Sequence, residues 1–311
     1  MMGQPRDDVA IMPKELDGFG CASTAGYISG VCPLCSSASS SLVLSESCRS
    51  LRRCKTCSVW WLEPVPRAEE LAQYFKVTGP AEEDAAAAKF EVNRHEVLEL
   101  VATRLKGVVS GGRILDIGCA VGYFLSTFFI GDKGWEAHGV ELAPQSAERA
   151  AARGIRMRQG TLKSAVYPDA FFDVVTILDT FYYFTDPLPE IKEIERILKP
   201  GGILAIEVPL ANPRLWRTTT RIGRVLTRTS RPRLQTDHVF FYTPEALDRV
   251  VRAFNFDVTA IVPLPANVKS GRGSVIYRTY SAAAMSLWKI TGGHMLLTPR
   301  FLVLAQRRRR E

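Results

Sequence analysis

Residues 112–130 restrict this chain more tightly than any other stretch. In Gly112-Arg-Ile-Leu-Asp-Ile-Gly-Cys-Ala-Val-Gly122, residues Ile114, Leu115 and Ile117 form a short apolar run with β-branched members. That is the pattern of a parallel strand buried on both faces. The run breaks at Gly118, and Tyr123 to Ile130 then reads as an apolar helix. A strand that turns through glycines into a helix start predicts an α/β fold with a mostly parallel sheet. Small residues at Gly118, Ala120 and Gly122 let the backbone approach a ligand, and the free N–H groups of the helix start point into the gap.

Two details narrow the ligand. The spacing is D-x-G-x-A-x-G, so the G-x-G-x-x-G fingerprint of a pyrophosphate site is absent. Asp116 at the strand end would repel a diphosphate and suits a cation. S-adenosylmethionine (SAM) carries an ammonium and a sulfonium and no phosphate. Glu141, 25 residues after Asp116, ends a second strand, Gly139-Val140-Glu141. A βαβ unit places an acid there on ribose hydroxyls.

With these residues and two later landmarks, Phe172-Asp173-Val174-Val175 and Leu198-Lys199-Pro200-Gly201-Gly202, residues 112–208 resemble a class I SAM-dependent methyltransferase. The resemblance implies a Rossmann-like sheet of seven strands, mostly parallel, with the last strand antiparallel. It implies that Asp116, Gly118, Cys119, Ala120, Gly122, Tyr123 and Phe124 surround the cofactor, with Glu141 and Leu142 following. Gly160, Thr161 and Leu162 fall where relatives read adenine, and Thr161 stands where they often carry an acid. The fourth strand, Val174–Leu178, ends at Asp179-Thr180-Phe181-Tyr182-Tyr183, and these residues should face the methyl group. His238 falls where many relatives hold a histidine next to the acceptor. A base is needed for a hydroxyl acceptor, and His238 is the first candidate, with Tyr183 or Asp179 to orient it. Amino-methyltransferases of nucleic acids need an Asp/Asn-Pro-Pro-aromatic turn at this point. Asp179-Thr-Phe-Tyr lacks both prolines, which argues against a nucleic-acid partner.

Upstream, Cys32-Pro-Leu-Cys35 and Cys54-Lys-Thr-Cys57 are separated by 18 residues. Two C-x2-C turns at this spacing suit a four-thiolate zinc ribbon whose closed shell makes the Zn2+ structural. Cys48 is a near neighbour and a substitute ligand; Cys21 and Cys119 read as bystanders. The ribbon runs on into Ser58-Val-Trp-Trp-Leu62, and this combination resembles bacterial methyltransferases of sugar, polysaccharide and specialised-metabolite pathways.

The net charge of +8 is unevenly spread. Residues 1–207 carry 22 Lys/Arg against 27 Asp/Glu, whereas residues 208–311 carry 18 against 5. The basic half follows the cofactor motifs, so an acceptor with anionic character is expected, phosphate-bearing or lipid-linked. Arg214, Arg217, Arg221, Arg224 and Arg228 recur at helical spacing in a basic cap, which could also touch an anionic membrane surface. No apolar run reaches the ~18–20 residues of a membrane span, and no basic start precedes an apolar block, so a cytoplasmic protein is expected.

The expected division is a loose leader over 1–30, a zinc-ribbon-like module over 31–66, a helical connector over 67–107 and a methyltransferase domain over 108–311. Cap insertions interrupt the last at about 211–236 and 268–295. In the connector, Val92, Val97, Leu98, Val101 and Leu105 mark an apolar face, and Tyr74, Phe75 or Phe90 could reach the cofactor. The expected activity is O-methylation of a sugar, glycolipid or related small molecule. C- or N-methylation of a nucleotide-sugar or specialised metabolite is the alternative within the enzyme class. A zinc-ribbon nucleic-acid binder and a non-catalytic SAM-binding scaffold are alternatives outside it.

Overall fold

The computed structural model describes residues 29–46, 49–71, 80–211, 238–265, 272–292 and 295–309. The basic cap with its five arginines, most of the leader, Cys21, Cys48, Tyr74 and Phe75 lie outside the described residues.

Three strands open the chain: β1 (Ser40–Glu46), β2 (Arg49–Cys54) and β3 (Trp60–Glu63). They pair antiparallel in that order. Helix α1 (Pro80–Lys106) leads into β4 (Gly112–Ile117), α2 (Tyr123–Phe128), β5 (Trp135–Glu141), α3 (Pro144–Ala152) and β6 (Arg156–Gln159). Then come α4 (Leu162–Ala165), β7 (Phe172–Leu178), α5 (Pro187–Ile197) and β8 (Leu198–Pro209). The chain closes with β9 (Phe240–Phe241), α6 (Pro244–Arg252), β10 (Phe256–Leu264), α7 (Arg272–Ile290) and β11 (Arg300–Arg307).

Seven strands form the main sheet in the order β10-β11-β8-β7-β4-β5-β6. Neighbours from β6 to β8 are parallel, and β11 runs antiparallel to both β8 and β10. The expected sheet is therefore present. Strand order reverses between β4 and β7, and in open α/β sheets the crevice that takes a ligand lies outside the carboxyl ends of the strands at such a reversal.

Two cores cover the two faces. On one, α1, α2 and α3 pack through Val97, Leu98, Val101, Leu105, Phe124, Leu125 and Ala150. On the other, Ile191, Ile194 and Ile197 of α5 and Leu247, Val250 and Val251 of α6 share one cluster with Cys54, Val59 and Trp61 of the ribbon. The ribbon is thus fused to the catalytic core and is not a separate bead.

The α1 stripe differs from expectation at its start. Val92 is 73% exposed, and Arg94 is the buried residue one turn before Val97 and Leu98. Positions 94, 97, 98, 101 and 105 lie on one helical face, so a charged side chain enters the interior there. No helix among the described residues is long and apolar enough to cross a membrane.

Candidate active site

The turn between β4 and α2 is built from backbone. Gly118, Ala120 and Gly122 all take positive φ (74°, 49° and 75°). At Gly118 a Cβ would stand 2.5 Å from Thr180 Cγ2, and at Gly122 it would stand 2.3 Å from Ile155 Cδ1. Side chains are excluded at both positions by conformation and by space. The Glu141 carboxylate at the end of β5 ties the loop down: it accepts from the Ala120 N–H (2.9 Å) and the Ala143 N–H (2.9 Å).

Asp116 is buried below the loop and accepts from the Thr176 hydroxyl (2.7 Å). Burial pushes its carboxyl up to about 7 and the Glu141 charge adds to this, against the Thr176 hydrogen bond and the pull of Arg94. Cys119 packs against Met157, its sulfur 3.8 Å from the thioether, and burial raises its thiol well above the usual range. Tyr123 opens α2, and its hydroxyl lies 2.7 Å from His95 Nδ1 of α1. The side chains of Phe124 and Leu162 are both buried, Phe124 in the core on the α1 face and Leu162 in the core on the α5 face. Gly160 donates its N–H to the Glu141 carbonyl (2.8 Å). Thr161 caps α4, its hydroxyl accepting from the Ser164 N–H (3.2 Å).

Across the crevice, beyond β7, β8 and β11, the structure gathers charges from four distant parts of the chain. Glu207 on β8 is fully buried and is gripped by Arg94 of α1, whose Nη2 donates at 2.7 Å, and by Arg300 of β11. The Arg300 guanidinium also donates to Asp179, which follows β7 at φ 62°. Arg94 Nη1 lies 3.8 Å from the second Asp179 oxygen. Burial alone would raise the Asp179 pKa, but the charges of Arg300 and Arg94 and a 2.6 Å hydrogen bond from the Tyr182 hydroxyl hold it well below the usual carboxylate range. The two arginines balance the two acids, as a buried ionic cluster must be balanced.

His238 stacks on Tyr182, ring centroids 3.7 Å apart and planes at 13°, with Phe241 on a second side at 5.7 Å and Tyr183 edge-on at 5.6 Å. It is only 4% exposed. The three sequence candidates His238, Tyr183 and Asp179 are therefore neighbours, joined through Tyr182. The sequence points to Tyr182 only as one of the residues 179–183, and does not single out Arg94, Glu207 or Arg300. The available signals were a charge in phase with the apolar stripe of α1, Glu207 inside the apolar run Ile203–Val208, and Arg300 directly before the run Phe301–Ala305.

The four cysteines converge at the tip of the ribbon. Their sulfurs all lie within 4.8 Å of one another, with Cys32–Cys57 and Cys35–Cys54 pairs at 3.6 Å. A tetrahedral shell with Zn–S bonds of about 2.3 Å has edges of about 3.8 Å, so this donor set fits a closed thiolate site. The Thr56 and Cys57 N–H groups point at Cys54 Sγ (3.3 and 3.4 Å), as donors to a thiolate would. The Cys57 thiol, sharing its proton with Cys32, brings Cys32 down to about 5, while burial raises Cys35 to about 11.

A seven-stranded sheet with this reversal, a glycine turn over a buried acid and a second acid after the next strand define a class I SAM-dependent methyltransferase fold. Comparison with known proteins agrees. The family described as "Methyltransferase domain" matches residues 89–261. The uncharacterized methyltransferase YdaC of Bacillus subtilis is 31% identical over 104 residues, 32% of this chain and 58% of YdaC. The 27-O-demethylrifamycin SV methyltransferase of Amycolatopsis mediterranei is 29% identical over 122 residues, 36% of this chain and 44% of that protein. The chain thus spans about half the length of these curated relatives. A chain of the solved complex between the Haloferax volcanii Trm112 methyltransferase activator and a methyltransferase superposes with a TM-score of 0.53 at 17% identity, covering 74% of this chain and 97% of that one. Because the family matches more than half of its residues, the chain belongs to the methyltransferase-domain family.

Proposed function

We propose that this protein transfers a methyl group from SAM to a hydroxyl oxygen of a small-molecule acceptor with anionic character, a sugar, glycolipid or related compound. The observation that carries this reading is the position of His238: it is stacked on Tyr182, the tyrosine that donates to Asp179 at the end of β7. The relative named for a 27-O-demethylrifamycin substrate also has an oxygen to methylate.

SAM, when bound, supplies a methyl group on a sulfonium that leaves as a neutral thioether. The chain does the rest. The Gly118–Gly122 backbone and Glu141 would hold the nucleoside, with Glu141 as the acceptor for its ribose hydroxyls. Leu142, Gly160, Thr161 and Leu162 would flank the adenine, chiefly through backbone. Asp116 faces the cationic methionine end, and Thr180 and Asp179 close the wall near the methyl. Tyr123 and Cys119 complete the pocket. Holding nucleophile and methyl in line and keeping water out supplies up to roughly 7–11 kcal/mol of the barrier. His238 would take the proton of the acceptor hydroxyl on its imidazole as that oxygen accepts the methyl group. Asp179 acts one step back, fixing Tyr182 and so the plane of the His238 ring, while Tyr183 lines the acceptor side.

Cys32, Cys35, Cys54 and Cys57 would hold a structural Zn2+ in a closed shell that leaves no position for substrate. The excess of positive charge in residues 208–311 supports an anionic acceptor, and a lipid-linked one would bring the protein to an anionic membrane. Flotation with phosphatidylglycerol vesicles tests that last point, and no enrichment over phosphatidylcholine removes it.

The main test has two stages. Calorimetry with SAM and S-adenosylhomocysteine should give saturable heat on the metal-loaded chain. Mass spectrometry of hydroxylated sugar and glycolipid panels should then show a single added methyl. With an acceptor in hand, His238→Ala should lower kcat by about 10²–10⁴ with cofactor affinity unchanged. Unaltered turnover would remove His238 as base and favour a carbon or nitrogen acceptor that needs none.

A further inference from the structure

The small N-terminal sheet has a fourth strand that belongs to the methyltransferase domain. Its order is β1-β2-β3-β9, and β9 is Phe240–Phe241, two residues after His238. Trp60 pairs with Phe241 and Trp61 with Phe240. The Leu62 N–H donates to the Val239 carbonyl (2.9 Å), and the Val239 N–H in turn donates to the Tyr182 carbonyl (3.0 Å). A continuous set of main-chain hydrogen bonds thus runs from the ribbon through residue 239 to the turn carrying Tyr182 and Tyr183.

A two-residue strand cannot hold its own register; it takes its position from the strand beside it. Here that strand is β3, the outer arm of a hairpin whose other arm, β2, ends in Cys54. The turn between them contains Cys57, and the Cys54 N–H donates to the Val59 carbonyl across it (2.9 Å). The Cys32 and Cys35 knuckle closes on that turn from the other side. Whatever fixes the four sulfurs therefore fixes the hairpin, and the hairpin fixes β9. Side chains repeat the connection: Val59, Trp61, Phe181, Tyr182, Val239, Phe240 and Tyr242 lie in one buried cluster. The glycine loop and Glu141 make no main-chain bond to the ribbon among those described.

We infer that the four-cysteine module is a positioning arm of the acceptor wall: metal bound at its tip sets, through β3 and β9, where His238 and Tyr182 stand, and leaves the cofactor half of the crevice untouched. This rests on the zinc assignment and the methyltransferase reading above. Leu62 is the positioning residue that makes the junction. Within a strand the N–H and C=O of one residue face the same neighbour, so the Leu62 amide serves β9 and is not needed by the ladder with β2.

The test needs no acceptor. Hydrogen exchange is followed by mass spectrometry on the full chain with zinc bound, after removal by a chelator, and after zinc is restored, each with saturating S-adenosylhomocysteine. Stripping should speed exchange in 60–62 and 238–242 by tenfold or more and restoration should reverse it. Protection at 116–122 and 139–143 should stay, with the S-adenosylhomocysteine Kd changed less than threefold. Leu62→Pro, shown by metal analysis to retain zinc, should speed exchange in 238–242 alone. Unchanged exchange at 238–242 on stripping overturns the inference, and so does loss of protection across the whole sheet together with S-adenosylhomocysteine binding, since the module would then be a part of the general core. A chain that takes up no zinc overturns both this inference and the metal assignment. One that binds zinc but no S-adenosylhomocysteine overturns the methyltransferase reading separately.

Discussion

The two sides of the crevice reach their shape by different means. On the cofactor side the backbone does the work: three left-handed residues at alternate positions 118, 120 and 122, tied by one carboxylate to a neighbouring strand. On the side proposed for the acceptor, side chains from residues 94, 179, 182, 207, 238 and 300 meet in a buried cluster in which no two ionic partners are near in sequence. The first side can be altered only by changing conformation, the second only by changing charge balance. Their sensitivities to mutation should separate accordingly.

The largest effect is expected on the charged side. Arg300→Met removes a cation shared by Asp179 and Glu207, and leaves Glu207 in a fully buried place with Arg94 as its remaining partner. Breaking a buried pair from one end typically destabilises by about 3–5 kcal/mol, readable as a lower urea midpoint at unchanged slope. Pairing it with Glu207→Gln should recover part of the loss, because the two sites couple. A single-mutant loss below about 1 kcal/mol would mean the cluster is not the rigid frame described.

On the backbone side, Gly118→Ala combines a left-handed strain of roughly 1–2 kcal/mol with crowding of roughly 1–3 kcal/mol against Thr180. We expect a stability loss of about 2–5 kcal/mol and a more than tenfold weaker S-adenosylhomocysteine Kd by calorimetry. Adding Thr180→Gly should relieve the crowding and leave the conformational part. If the double variant is no better than the single, space is not what demands glycine there.

Tyr182→Phe is the next step down. It deletes one hydrogen bond to a charged acceptor, worth about 1.5–3 kcal/mol, while keeping the ring on which His238 stacks. Cofactor affinity should hold and acceptor turnover should fall, the reverse of the Gly118 pattern. Equal loss of both would erase the distinction between the two sides.

The same difference explains what could be read from the sequence. A backbone site leaves a contiguous trace, so Asp116, Gly118, Ala120, Gly122 and Glu141 stood out in order, and the sheet around them followed from apolar runs such as Val174–Leu178. The cysteine cluster was legible for a related reason, since two knuckles need fixed short spacings. The charge cluster left no such trace. Arg94 looked like one more polar residue of a helix, and Val92 was given its place on the buried face because apolar character outweighed phase. Glu207 lies inside the apolar run Ile203–Val208 and Arg300 directly before the run Phe301–Ala305, where one charge signals a buried partner but not which one. β9 was invisible for another reason: a two-residue strand has no periodicity, and its existence depends on a hairpin about 180 residues earlier.

The smallest effect is a pH dependence, and it falls on one side only. Asp116 has its carboxyl pushed up from 3.8 to about 7 by burial, with the Glu141 charge adding to the rise. The folded pKa is above the unfolded one, so the native state binds more protons between about pH 4 and pH 7. Native stability on this account declines as pH rises through that window and levels off above it. Cofactor binding runs the other way. A cationic ligand favours the ionised carboxylate, so SAM should bind about tenfold more weakly one unit below that pKa than on the plateau above it, and binding near neutrality should release a proton, measurable as buffer-dependent heat. Asp116→Asn should flatten the slope and hold affinity at the weaker level. Asp179 offers the contrast: with Arg300 and Arg94 keeping it ionised far below neutrality, Asp179→Asn should leave the slope between pH 6 and pH 8 in place. A slope that survives Asp116→Asn would have to originate elsewhere, and the buried acid under the glycine turn would lose its electrostatic role.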